Sequence, residues 1–92
     1  MLTAPRSYKE LITTEEMKAG GSLTMLAQKH YGNKDLWVFI YEANLGRIKS
    51  PVNIAPGTLI RIPKLSEELM NTENPDTKVL IRQLSSQYSK RR

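Results

Sequence analysis

YEANLGRIKSPVNIAPGTLIRIP, residues 41–63, ends an aromatic-rich helix in Ala43-Asn44, crosses a polar loop and enters a short strand. Pro56-Gly57 suits the two central positions of a type II turn, proline presetting φ and glycine supplying the positive value. Thr58 to Ile62 then alternates, with Ile60 and Ile62 on one face and Leu59 and Arg61 on the other, and Pro63 ends the strand. A lone short strand is unstable in water, so it requires a partner. Backward from the loop, Leu36, Ile40 and Ala43 share one helical face, and Trp37 and Tyr41 widen it. Apolar groups on so much of the circumference predict a helix over 36–44 buried on more than one side.

The partner strand has to come from the N-terminal part. Ser7-Tyr8-Lys9-Glu10 matches a capping box that would start a helix at Tyr8, yet Ile12-Thr13-Thr14 is β-branched and resists one. The need for a partner predicts strand over at least Thr14 to Lys18, antiparallel to Thr58 to Ile62. Gly20-Gly21 stops what precedes it. Ser22 is a good N-cap for a helix from Leu23 to about His30, with Leu23, Leu26, Ala27 and His30 on one face and Gly32 as its left-handed stop.

Beyond Pro63, Leu65 to Met70 can form a helical turn. Asn74-Pro75-Asp76 reads as N-cap, proline at the first helical position and an acid matched to the helix dipole. Thr77, Ile81, Leu84 and Tyr88 then share one face, which predicts an amphipathic helix from Pro75 to Tyr88 that docks on the domain or serves a partner.

Composition bounds the chemistry. Ninety-two residues with 39% hydrophobic content suffice for one small domain. No cysteine is present, so neither a disulfide nor a thiolate metal site is available, and a single histidine, His30, disfavours a zinc site, which usually draws on two or three His, Cys or carboxylate ligands. The apolar run Leu36 to Tyr41 is far short of the roughly 20 residues that span a bilayer, so a soluble chain with no membrane partner is expected. The N-terminal residues lack the apolar segment of roughly 7–15 residues of a signal peptide. Net charge +5 permits acidic partners, but Lys29, Lys34, Arg47, Lys49 and Arg61 are dispersed without interleaved aromatics, which does not favour nucleic acid. The Lys90-Arg91-Arg92 end is expected to be a solvated tail.

Catalysis finds no constellation. Glu15-Glu16 and Glu67-Glu68 are sequence neighbours that point apart in regular structure, poor geometry for a two-carboxylate hydrolase. Gly20-Gly21-Ser22 precedes a helix, but the lysine of a phosphate loop is absent. No enzyme and no cofactor are expected. His30 reads as a helix-face residue rather than a ligand or base.

The β-α-α-β order carries a resemblance. Gly20-Gly21-Ser22-Leu23-Thr24-Met25-Leu26-Ala27-Gln28-Lys29-His30-Tyr31-Gly32 resembles the opening of the LysM family, and Trp37-Val38-Phe39-Ile40-Tyr41-Glu42-Ala43-Asn44 its second helix. Ile48, Ser50 to Ile54 and Pro56 to Pro63 are similar to its close, and the resemblance implies that Trp37 is a core or subcore residue rather than a sugar platform. The resemblance covers about Thr13 to Lys64. It divides the chain into an N-terminal extension (1–12), a LysM-like domain (13–64) and a C-terminal extension with an amphipathic helix (65–92). The implied fold is α+β: a two-stranded antiparallel sheet with two helices on one face, plus the C-terminal helix.

The family's shallow groove holds N-acetylglucosamine units of peptidoglycan or chitin between two walls. Carried onto this chain, the resemblance implies carbohydrate-binding positions at Gly20, Gly21, Ser22 and Leu23 on one wall and Pro51, Val52, Asn53 and Ile54 on the other. Gly21 stands where the family has Asp, and Val52-Asn53 replaces its Asp-x. The implied function is a noncatalytic carbohydrate-binding module for an N-acetylglucosamine-containing polymer, bacterial peptidoglycan first, in the cell envelope or periplasm. The alternative is an assembly adaptor on the same scaffold without sugar binding, using the C-terminal helix for a protein partner.

Overall fold

The computed structural model describes residues 8–89. Ser7 of the expected capping box and the Lys90–Arg92 tail lie outside them. Strand β1 (Leu11–Glu16) pairs antiparallel with β2 (Leu59–Pro63) in a two-stranded sheet. Helices α1 (Leu23–Tyr31) and α2 (Trp37–Ala43) connect the strands, and a short α3 (Glu67–Met70) and a long α4 (Pro75–Ser89) follow. This is the α+β arrangement expected from the sequence. Among the described residues no helix is long and apolar enough to cross a membrane.

The first strand starts earlier than predicted and stops sooner. It begins at Leu11 rather than Thr14, so the β-branched run Ile12-Thr13-Thr14 prevails over the local helix-start signal. Thr13 faces Ile62, Thr14 faces Arg61, Glu15 faces Ile60 and Glu16 faces Leu59. Between Leu11 and Thr13 the register slips, which leaves Ile12 as an extra, half-exposed residue. Met17 continues the pairing through its N–H to the Thr58 carbonyl at 2.8 Å. Lys18 does not join it, because its carbonyl accepts from the Gly21 N–H at 2.9 Å in a tight turn.

Ile60 and Ile62 are fully buried while Leu59 and Arg61 are exposed, so the helices cover one face of the sheet. Ser22 caps α1, its hydroxyl accepting from the Met25 N–H at 3.3 Å, and Gly32 closes it at φ 75°. The predicted helix over 36–44 begins instead with a 3₁₀ turn, Lys34–Leu36. Asn33 Oδ1 accepts the Asp35 N–H at 2.9 Å and tightens that turn. Val38, Phe39, Ile40, Tyr41 and Glu42 of α2 are all buried, because α1, β2 and α4 surround it.

Helix α4 belongs to the same core. Asn74 Oδ1 accepts the Asp76 N–H at 2.9 Å at its start, as its sequence predicts. Leu84 and Tyr88 are fully buried, Thr77 is buried with its hydroxyl on the Glu68 carbonyl, and Ile81 is half-buried. The Tyr88 ring meets Tyr41 edge-on, centroids 4.8 Å apart at 73°. Buried Glu42 receives the Tyr8 hydroxyl on one oxygen at 2.6 Å and the Tyr88 hydroxyl on the other at 3.2 Å. A buried carboxylate requires such donors, so the pair fixes where α4 docks.

Leu84→Ala is therefore expected to lower stability by about 2–5 kcal/mol, the range for truncating a buried leucine. Thermal unfolding followed by circular dichroism should remain one transition, moved to lower temperature. Val79→Ala, on the exposed side of α4, should leave the midpoint nearly unchanged.

Candidate functional site

Two glycine turns frame one end of the molecule. Lys18-Ala19-Gly20-Gly21 reverses the chain after β1, with Gly20 at φ 79°. Ala55-Pro56-Gly57-Thr58 reverses it before β2, with Gly57 at φ 91° and the Thr58 N–H on the Ala55 carbonyl at 3.2 Å. Positive φ at the third residue is the type II signature. The Gly57 N–H also reaches the Met17 carbonyl at 2.7 Å and ties the two turns together.

Beside them lies a cleft of about 420 Å³. Ser22, Leu23 and Thr24 at the start of α1 form one side, and Pro51 and Val52 form the other. Trp37 contributes to its lining, half-buried against the core, and Ser85 and Ser89 add a side from α4. Thr24 Oγ1 lies 2.9 Å from Ser22 Oγ, and the Ser89 hydroxyl donates to the Ser85 carbonyl. Among the described residues none that lines the cleft carries a charge.

Four of the eight sequence-derived positions, Ser22, Leu23, Pro51 and Val52, meet in this cleft; Gly20, Gly21, Asn53 and Ile54 do not line it. Gly20 supplies the left-handed turn. A Cβ on Gly21 would stand 3.0 Å from both the Lys18 carbonyl oxygen and the Met17 sulfur, so the tight turn itself opposes the family's Asp there. Asn53 is exposed, and Ile54 packs half-buried against the core.

Trp37, Thr24, Ser85 and Ser89 were not read as site residues from the sequence. Trp37 is a core-packing residue as expected and lines the cleft as well. For Ser85 and Ser89 the available signal is their spacing of four, which puts them on one side of α4.

Charged side chains join α1 to β1. Glu15 Oε2 lies 2.6 Å from both Lys29 Nζ and His30 Nε2. The Lys29 ammonium, then His30, holds the Glu15 carboxyl below the usual carboxylate range. Tyr31, next along α1, donates its hydroxyl to the Pro63 carbonyl, and burial pushes its phenol well above the ordinary value. Among the described residues no group of three His, Asp or Glu gathers to hold a metal.

No family model matches the chain. It is 42% identical over 48 residues to the potassium binding protein Kbp of Escherichia coli O6:H1 (strain CFT073). That stretch covers 52% of this chain and 32% of Kbp, so the chain spans about a third of the relative it matches.

Because the Glu15 carboxyl is depressed in the fold, its contribution to stability is fully present above the unfolded value of about 4.3 and is lost as pH falls through the depressed value. Acid titration of the unfolding free energy is expected to show this loss. Glu15→Gln should remove that part of the pH dependence while unfolding remains cooperative at pH 7.

Proposed function

We propose that the chain is a noncatalytic carbohydrate-binding module whose cleft takes the acetamido sugar of an N-acetylglucosamine-containing polymer, bacterial peptidoglycan first. One observation carries the reading. The described residues that line the cleft between the α1 start and the Pro51-Val52 loop join apolar side chains to hydroxyls, and none of them is charged.

A neutral sugar presents hydroxyls, an amide and one methyl group. Trp37, Leu23, Pro51 and Val52 supply apolar surface for the ring face and the acetyl methyl, and the Ser22, Thr24, Ser85 and Ser89 hydroxyls supply polar partners. The LysM resemblance of residues 13–64 supports the same ligand, and a place in the cell envelope goes with it. Among the described lining residues no charged group stands ready for acid–base work, and binding without catalysis is the role these residues suit. The potassium in the relative's name is followed as a control ion.

Trp37 is the single tryptophan and lines the cleft, so its fluorescence reports occupancy directly. Oligomers of N-acetylglucosamine are expected to change it saturably at micromolar to millimolar concentration, as suits a shallow site. The response should be the same at low and high salt and in sodium or potassium buffers, whereas a nucleic-acid ligand would weaken steeply with salt. Val52→Asp, at a position 64% exposed, should abolish the response without lowering the melting temperature. No response to millimolar oligomer from the folded protein would reject the glycan and favour the adaptor.

A further inference from the structure

A second concavity, of about 580 Å³, adjoins the first along α4. Ser85 and Ser89 border both. The far side differs in character: Lys78 and Arg82 of α4 line it, with Asp35 opposite them in charge. On α4 the residues 78, 82, 85 and 89 recur at intervals of three and four, so they form one stripe along the helix. About 16 Å of helix axis separates 78 from 89 at 1.5 Å per residue, long enough to follow a short oligosaccharide rather than one sugar. The stripe passes from two cations to two hydroxyls, and the hydroxyl end reaches the cleft that Trp37 lines.

The cations are available. Lys78 has only a loose pairing with Glu73 at 3.8 Å, both ends exposed. Arg82 is exposed and has no ion-pair partner among the described residues, and Asp35 pairs with neither cation. Glu73 partly offsets Lys78 and Asp35 adds a second acid, so Arg82, with no ion-pair partner among the described residues, is the cation this end offers. A planar guanidinium is the group suited to a carboxylate.

We infer that Arg82, assisted by Lys78, forms a carboxylate subsite continuous with the neutral cleft, so that the preferred ligand is an N-acetylated glycan bearing carboxylates. The inference rests on the glycan reading above. It adds a discrimination that the neutral cleft cannot make, because a neutral polymer leaves Arg82 and Lys78 solvated and gains nothing from them. Asp35 limits the preference by opposing an anion in the same concavity.

The test compares one repeat, N-acetylglucosamine joined to N-acetylmuramic acid, as its free acid and as its methyl ester, by Trp37 fluorescence. A third arm uses the repeat carrying its peptide, to separate a sugar-borne carboxylate from a peptide-borne one. The acid is expected to bind about fivefold tighter than the ester at low salt, the scale of one exposed charge contact. Added salt should erase the difference. Arg82→Gln should bring the acid down to the ester while the ester's own affinity and the melting temperature stay unchanged, and Asp35→Asn should widen the difference. An advantage for either carboxylate arm that depends on Arg82 supports the subsite, and the arm that shows it identifies the carboxylate. Absence of an Arg82-dependent advantage over the ester in both carboxylate arms, or equal loss of every arm in Arg82→Gln, overturns the subsite and leaves the neutral glycan site standing. Absence of binding by every arm, including neutral N-acetylglucosamine oligomers, overturns both.

Discussion

The carboxamide of Asn44 holds both backbone polar groups of Arg61, and most of the molecule hangs from that bracket. Its Oδ1 accepts the Arg61 N–H at 2.9 Å, and its Nδ2 donates to the Arg61 carbonyl at 2.9 Å and to the Ile40 carbonyl at 2.6 Å. One buried side chain thus closes the end of α2 and covers the middle of the free edge of β2. A two-stranded sheet has two free edges, each a row of groups that must find water or a partner. Here the helix that packs on the sheet also satisfies its edge, which explains why a strand of five residues is held without a third strand.

The same residue starts the loop that forms one side of the cleft. The Asn44 carbonyl accepts the Arg47 and Ile48 N–H groups at 2.9 and 3.1 Å, and the Tyr41 hydroxyl donates to the Lys49 carbonyl at 3.1 Å. From there the chain reaches Pro51 and Val52. Pro51 is buried and the Val52 N–H meets the Ser50 hydroxyl at 3.2 Å, so the exposed Val52 is presented from an anchored backbone. On the other side Ser22 caps α1 and faces the cleft at once. α4 reaches the cleft only because Leu84 and Tyr88 are buried beside α2, and Glu42 ties Tyr88 to it. The cleft is therefore assembled from three segments, each fixed to α2 by a different kind of interaction: backbone bracketing, helix packing and a buried carboxylate–phenol pair.

What the sequence discloses follows from how local each signal is. Pro56-Gly57, Ser22, Gly32 and Asn74-Pro75-Asp76 act within a few residues, and each turn or cap stands where its chemistry puts it. The start of β1 did not follow from local signals alone, because a capping-box match and a β-branched run compete over the same residues and pairing with β2 decides. The 3₁₀ entry to α2 was also missed, since it depends on the Asn33 side chain. For the cleft, the LysM resemblance names Ser22, Leu23, Pro51 and Val52 of its lining, whereas it names neither Ser85 nor Ser89. They lie far along the chain on the polar side of an amphipathic helix, and only the burial of Leu84 and Tyr88 turns that side toward Trp37.

Hydrogen exchange at the Arg61 amide tests the bracket most directly. An edge amide open to water would exchange almost as freely as one in a loop, but an amide held by buried Asn44 should open only with the whole domain. Arg61 is expected to match the slowest core amides, such as those of Ile60 and Ile62. In Asn44→Ala it should lose that protection, with stability lower by about 1–3 kcal/mol for each buried group left unpaired. Fast exchange at Arg61 in the wild-type protein, or unchanged protection in Asn44→Ala, would contradict the account.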